Sequence, residues 1–261
     1  MRIVSWNCAM GLAKKRHLIE ALHPDIAILA EVSEKAIEES VAPFKAWVGS
    51  NPNKGLGVVG FADRTYERHE PERQLPWHIP FTVDGMNIIG LWAHVLDKDL
   101  KYVRVTHKIV NHHEDFLRHS PSLLIGDFNS STKWDHLHKG RNHSMLVEKL
   151  EQLGLHSAYH RQEIAAQGTE PHPTFYFTRN AAKPHHIDYA FIGGATAAVT
   201  VGHHVEWLRH SDHMPLILDI DEPRMPDVGA GNFSGQASTP PESLLGSLPP
   251  SASETTRFVK S

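Results

Sequence analysis

The chain has 261 residues, 40% hydrophobic and 21% charged, which suits one globular domain with a sizeable core. Its formal net charge of −4 argues against a strongly basic nucleic-acid groove, although bound divalent cations would offset carboxylates gathered at a site. No apolar run approaches the roughly 20 residues that a membrane span needs, and the single cysteine, Cys8, excludes an internal disulfide and suits a reducing, cytoplasmic setting.

In chain order, the opening segment Arg2-Ile3-Val4-Ser5-Trp6-Asn7 is an apolar strand that ends on a polar cluster, and no signal peptide is expected before it. Residues 14–23 carry Leu18, Ile19 and Leu22 at helical spacing, and Pro24 stops them. A buried strand is expected over 25–31. Further strands are expected over 57–62, 81–83, 87–95, 122–126, 174–178, 187–192, 199–207 and 215–220, with Asp84-Gly85 as a hairpin turn. Residues 102–117 and 144–153 are expected to be helices. Many strands with a few long helices between them imply an α/β layered domain.

Residues 222–261 differ in kind. Of these 40 residues 17 are Pro, Gly or Ser, without periodicity, so they are expected to form a disordered tail after a catalytic domain spanning 1–221.

Short polar clusters follow several of the apolar runs. They are Ser5-Trp6-Asn7, Glu31, Gly126-Asp127-Phe128-Asn129, His186-Ile187-Asp188 and Ser211-Asp212-His213. Strand ends aim such residues into one cleft. Four acids, two amides and two imidazoles are the inventory for phosphoryl hydrolysis assisted by a hard cation. Within the third cluster, strand alternation would put Asp127 and Asn129 on one side and pack Phe128 inward. An Asx turn explains one of the two polar residues as readily. Ser211 is expected to be a turn residue rather than a nucleophile.

The order Trp6-Asn7, Glu31, His94, Gly126-Asp127-Phe128-Asn129, His186-Ile187-Asp188-Tyr189 and Ser211-Asp212-His213 resembles the endonuclease/exonuclease/phosphatase superfamily over roughly residues 1–221. The resemblance implies a deoxyribonuclease I-like, four-layer α/β sandwich of two mostly antiparallel sheets flanked by helices. It implies a catalytic group of His94, Asp127, Asn129, Asp188 and His213, with Asp188 fixing the His213 tautomer. It also implies a Mg²⁺ (or Mn²⁺) site built from Asn7, Glu31 and Asp212, the last two adjacent in space. Two departures stand out. Ala30 precedes Glu31 where glutamine is frequent, and His185-His186 stands where arginine or lysine is frequent, which would make the local positive charge sensitive to pH.

Beyond the Asp127 cluster, residues 133–141 mix cations with an aromatic, so Lys133, Trp134 and Arg141 are candidate substrate contacts on a nucleic-acid strand. A solvated loop with an amphipathic tryptophan fits the same residues. The function expected is a divalent-metal-dependent phosphodiester hydrolase acting as a nuclease on DNA or RNA. A phosphomonoesterase or sphingomyelinase-like hydrolase of small or lipid phosphoesters is the alternative, and a non-catalytic binding module with the same fold is a third. Oligomeric state is not legible. Truncation after residue 221 is expected to leave the melting temperature and the hydrolysis rate nearly unchanged. A large fall in melting temperature would show that the tail docks on the domain.

Overall fold

Along most strands of this chain, successive residues alternate between two apolar layers rather than between core and solvent. A computed structural model describes residues 1–71, 75, 77–100, 102–119 and 121–221; the expected tail, 222–261, lies outside them. The strands are β1 (Arg2–Asn7), β2 (Ile26–Val32), β3 (Phe44–Asn51), β4 (Lys54–Gly60), β5 (Tyr66–Arg68), β6 (His78–Val83), β7 (Met86–Trp92), β8 (Ser122–Asp127), β9 (His156–Ser157), β10 (Phe175–Tyr176), β11 (Pro184–His185), β12 (Asp188–Gly193), β13 (Ala197–Val201) and β14 (Leu216–Ile220). The helices are α1 (Arg16–Glu20), α2 (Glu34–Glu38), α3 (Val103–His112), α4 (Glu114–Arg118), α5 (His143–Gln152), α6 (Ala158–Glu163) and α7 (His204–Trp207).

Two six-stranded sheets result, ordered β13-β14-β1-β2-β4-β3 and β5-β6-β7-β8-β12-β9, with β10 and β11 as a separate ribbon. Each six-stranded sheet holds one parallel pair at its centre, β1 with β2 and β7 with β8; the other neighbours are antiparallel. Ile28, Val58, Ile88, Ile125 and Leu218 pack in the layer between the sheets. Leu91, Leu124 and Phe191 turn the other way, onto Ile109, Leu146 and Leu150 of α3 and α5. Val4, Leu29 and Val59 face Ile19 and Ile37 of α1 and α2. Helix, sheet, sheet and helix therefore stack in four layers, as expected. No helix among the described residues is long and apolar enough to cross a membrane.

Several expected elements change at their ends. The strand expected over 199–207 stops at Val201. Gly202 and His203 break it, and α7 follows, burying Trp207 edge-on against Trp6 at 5.1 Å between ring centroids. The helix expected over 102–117 breaks at His113, whose φ −100° and ψ 24° are not helical. In place of one helix over 14–23, a short 3-10 turn, Leu12–Lys14, precedes α1, which spans only Arg16–Glu20. Of the strand expected over 174–178 only Phe175–Tyr176 pairs, and the 3-10 segment Phe177–Arg179 follows. The edge strand β3 escapes sequence patterning, because its end, Gly49-Ser50-Asn51, reads as a turn.

Glycine is required at one place beside the site. Gly126 pairs with Leu91 across the parallel β7–β8 step, with φ 149°, and a Cβ there would lie 1.9 Å from the Leu91 carbonyl oxygen. Gly126→Ala is expected to destabilise the domain by about 3 kcal/mol, read as a lower urea midpoint. An unchanged midpoint would show that the β7–β8 junction has slack.

Candidate active site

The alternation that builds the inter-sheet layer also delivers the polar residues to its rim. Ile3 faces that layer while Val4 and Trp6 face outward, so Asn7 falls on the inward side at the end of β1. Leu123 and Ile125 do the same for Asp127 at the end of β8. On β12, which runs antiparallel to β8, Ala190 and Ile192 face inward and Asp188 pairs directly with Asp127. Asn7 and Asp127 then meet across the seam between the sheets, Asn7 Nδ2 donating to Asp127 Oδ2 at 3.1 Å.

Asp127 is buried and accepts from three donors: Asn7 Nδ2, the backbone N–H of Asn129 at 2.9 Å and Asn129 Nδ2 at 3.1 Å. The Asn129 amide also donates to the Ala93 carbonyl at 2.9 Å. Asp127 and Asn129 do converge, but strand alternation is not the cause. The strand ends at Asp127, whose Oδ1 accepts the Asn129 N–H in an Asx turn. Asn129 sits at φ 47° with its amide turned back, and Phe128 is buried as expected, in the layer that faces the helices. Burial pushes the Asp127 carboxyl up to about 7, against the downward pull of the His213 charge.

His213 lies just before β14 in the first sheet and reaches Asp188 in the second, with Nδ1 3.0 Å from Oδ2 and 3.2 Å from Oδ1. Its Nε2 stands 3.8 Å from Asp127 Oδ2. Burial disfavours the imidazolium, but the facing charges of Asp188 and Asp127 outweigh it and raise the His213 pKa to about 9. Both partners are held by backbone anchors. Thr174 Oγ1 accepts the N–H groups of Ile187 and Asp188 at 3.0 Å each. Ser211 Oγ donates to the Asn7 carbonyl at 2.7 Å and accepts the His213 N–H at 3.0 Å, the turn role expected of it. Trp6 Nε1 closes the loop by donating to the His213 carbonyl at 2.8 Å.

Beside this network lies a more open group of oxygen donors. Glu31 sits in a bulge of β2 against β4, at φ 58°, and its Oε1 is 3.2 Å from Lys54 Nζ. Lys15, which donates to the Cys8 and Met10 carbonyls, feels the charges of both Asp212 and Glu31. The two acids thus share a neighbourhood that already attracts cations. Oxygen-only donors of this kind suit a hard divalent ion. Asn7 borders the same group, although its Oδ1 accepts the Ala9 N–H at 3.0 Å. The one cluster of three Asp, Glu, His or Cys donors among the described residues is Asp127, Asp188 and His213, already engaged internally.

His94 falls on the Glu31 side. Its ring lies 4.6 Å from that of Trp92 and 5.1 Å from that of Trp77, and burial, followed by the Lys54 charge, lowers its pKa. The His185-His186 pair departs from expectation. His186 is buried and pushed down to about 4, so it stays neutral rather than titrating near neutrality, and burial and Lys133 lower His185. From Asn129 a groove of ≈ 730 Å³ leads away past Trp134, Phe175, Phe177 and His185. Trp134 lines it, and its ring lies 5.0 Å from His185; Lys133 acts on the same histidine. Arg141 lines a different hollow. Sequence reading passed over Lys54, Lys15 and Thr174. A Thr opening a strand and two lysines outside any motif carry no local signal, and only the fold brings them to the site.

Because burial opposes the charged form, removing one of its counter-charges should lower the His213 pKa. In a histidine NMR titration His213 is expected to stay protonated to about pH 9 in the wild type and to lose its proton at clearly lower pH in Asp188→Asn, where Asp127 and Asp212 still favour the cation. The same midpoint in both proteins would show that Asp188 does not hold the charge.

A sequence model of the Endonuclease/Exonuclease/phosphatase family matches residues 4–213. Comparison with curated protein sequences gives no significant match. Among solved structures, the 3′ phosphatase NExo from Neisseria bound to product DNA hairpin is similar at TM-score 0.64 and 19% identity, over 85% of this chain and 100% of that one. An AP endonuclease from Archaeoglobus fulgidus is similar at TM-score 0.60 and 15% identity, with the same coverage. The endonuclease domain of TRAS1, a telomere-specific non-LTR retrotransposon, is similar at TM-score 0.56 and 18% identity, over 83% of this chain and 96% of that one. At these identities the structures speak for the fold, and the family match covers every cluster from Trp6-Asn7 to His213. The chain belongs to the Endonuclease/Exonuclease/phosphatase family, and it is a hydrolytic phosphoesterase with the deoxyribonuclease I-like fold.

Proposed function

We propose that this enzyme hydrolyses phosphodiester bonds of nucleic acid with Mg²⁺ or Mn²⁺ as its cofactor. The observation that carries the reading is the buried Asp127 carboxylate 3.8 Å from the His213 ring, with its neighbours Asn129 and Phe175 lining a groove walled by aromatic side chains. Asp127 takes the proton of a water that attacks phosphorus, while Asn129 orients that water or a phosphoryl oxygen; the P–O bond to the leaving oxygen breaks as the new one forms, and the departing alkoxide takes a proton from solvent water. His213, held cationic by Asp188, stabilises the negative charge that develops on the phosphoryl group. His94, kept neutral by burial, hydrogen-bonds a non-bridging oxygen from the Glu31 side.

Glu31 and Asp212, with Asn7 at their border, would hold the divalent ion, and that ion when bound neutralises charge on the phosphoryl oxygens. Trp134 and Lys133 would meet the strand in the groove by stacking and by phosphate contact. The DNA hairpin seen with the Neisseria relative supports a nucleic-acid substrate over a small phosphoester.

The test is a substrate panel of plasmid DNA, single strands, RNA, an aryl phosphodiester and phosphomonoesters, with Mg²⁺, Mn²⁺ or EDTA. Phosphodiesters are expected to be cleaved fastest, with about 10²-fold or greater loss in EDTA and in Asp127→Asn. Full activity in EDTA would remove the metal, and phosphomonoesters cleaved fastest would favour the small-substrate alternative. The pH profile gives an independent check. Asp127 must be ionised, so the rate should rise with pH through about 7; His213 must be cationic, so the rate should fall through about 9. A flat profile across that window would separate these groups from the chemistry.

A further inference from the structure

A second hollow lies against the groove, and its chemistry is different. It holds ≈ 460 Å³ and is lined by Arg104 and Lys108 of α3, by Lys139 and Arg141 from the loop before α5, and by Asp97 and Asp99. Four cations thus meet two acids. Asp97 Oδ1 is taken up within its own loop, accepting the N–H groups of Asp99 and Leu100 at 2.8 and 2.7 Å. Among the described residues neither Lys108, Lys139 nor Arg141 has a carboxylate partner in an ion pair, although one side of the hollow is protein.

The sequence separates these cations by more than thirty residues, and one interaction brings them together. His107, buried on α3, meets the Asn142 carbonyl through Nε2 at 2.9 Å, and Asn142 caps α5. That contact sets Arg141 beside the same hollow as Arg104 and Lys108, which stand one turn apart on α3. The two cavities share Asp99 and Arg104, so they adjoin along that wall. The groove side carries Asn129 and aromatic faces that include the 51% exposed Phe177, and the hollow carries the cations.

We infer that the basic hollow is an accessory phosphate site for a single-stranded stretch of the nucleic-acid substrate, bound some nucleotides away from the bond that is cut. The inference rests on the nuclease reading of the neighbouring site and adds to it the form of the strand and where its far end is held. Stacking faces beside an anion-binding hollow match a flexible strand with its bases unstacked from a partner. A duplex keeps its base faces covered and has no use for the aromatic wall. Trp134, Leu137 and His138 line the groove, whereas Lys139 and Arg141 line the hollow, so the loop from 133 to 141 contributes to both.

The test uses the full chain and the variant Lys108→Ala/Lys139→Ala, both exposed positions, with melting temperature as the control for folding. Binding of labelled oligonucleotides of two to twelve nucleotides is measured in EDTA across a salt series, and cleavage is measured separately with Mg²⁺. Wild-type affinity is expected to step up beyond a minimum length. The variant should lose that step, about tenfold in affinity, and its log–log salt slope should fall by about 1.4 for two lost single-strand phosphate contacts. Binding of the shortest oligonucleotides and hydrolysis of an aryl phosphodiester should stay at the wild-type level. Unchanged affinity and slope in the variant would overturn the accessory site, as would an equal loss at every length. A duplex bound as tightly as the single strand would overturn the strand assignment. Length-dependent binding lost in the variant, with no oligonucleotide cleaved by the wild type, would uphold the phosphate site and remove the nuclease reading instead.

Discussion

The buried pair of Asp188 and His213 joins the two sheets at the rim where Asn7 and Asp127 also meet. An imidazolium inside a protein is stable only beside a fixed negative charge, and that carboxylate is affordable only with the imidazolium beside it. The pair is therefore built from backbone anchors on both sides. Thr174 holds the start of β12, and Ser211 with Trp6 holds the turn before β14. Asp127, one strand away, inherits its environment from this arrangement. It is too deeply buried to ionise at the ordinary carboxylate pH, and His213 keeps its charged form within reach of neutrality. A proton acceptor facing a cation is what attack on a phosphoryl group by water requires.

Local strain collects at the same rim. Glu31 and Asn129 both occupy the left-handed region, which costs about 1–3 kcal/mol for a side chain that is not glycine. The two cases do related work. The bulge at Glu31 takes it out of the alternation that would have sent it to the helix layer with Ala27 and Leu29, and the Asx turn at Asn129 folds an amide back onto the Asp127 carboxylate. The cores on either side, with Leu124, Ile125 and Phe191 fully buried, hold these conformations in place. Regular strands deliver Asn7, Asp127 and Asp188, and irregular backbone adjusts the rest.

That division also explains what the sequence could and could not disclose. Asn7, Asp127 and Asp188 were legible because each ends or begins a strand whose apolar parity is plain in Ile3, Ile125 and Ala190. An α/β layered domain followed from many strands with a few long helices, and the four-layer sandwich from the resemblance to the superfamily. Convergence of Asp127 with Asn129 was anticipated for a reason that the positive φ of Asn129 replaces. Lys54 and Thr174 were invisible, since their partners Glu31 and Asp188 are assigned by tertiary contact alone. The charge state of His186 was misjudged because titration depends on burial, which a pair of adjacent histidines does not encode. The loop 133–141 read as one basic stretch; in the fold Trp134, Leu137 and His138 line the groove while Lys139 and Arg141 line the hollow.

The central claim is that Asp188 and His213 act as one charged unit in hydrolysis, and a double-mutant cycle on phosphodiester cleavage tests it most directly. Asp188→Asn, His213→Ala and the double variant would be compared by kcat/KM at pH 8, with circular dichroism confirming the fold. The account predicts that each single change lowers kcat/KM by about 10²-fold or more and that the double variant is hardly worse than His213→Ala alone, because the first loss already removes the unit. Independent losses that multiply in the double variant, or wild-type rates in either single one, would contradict it.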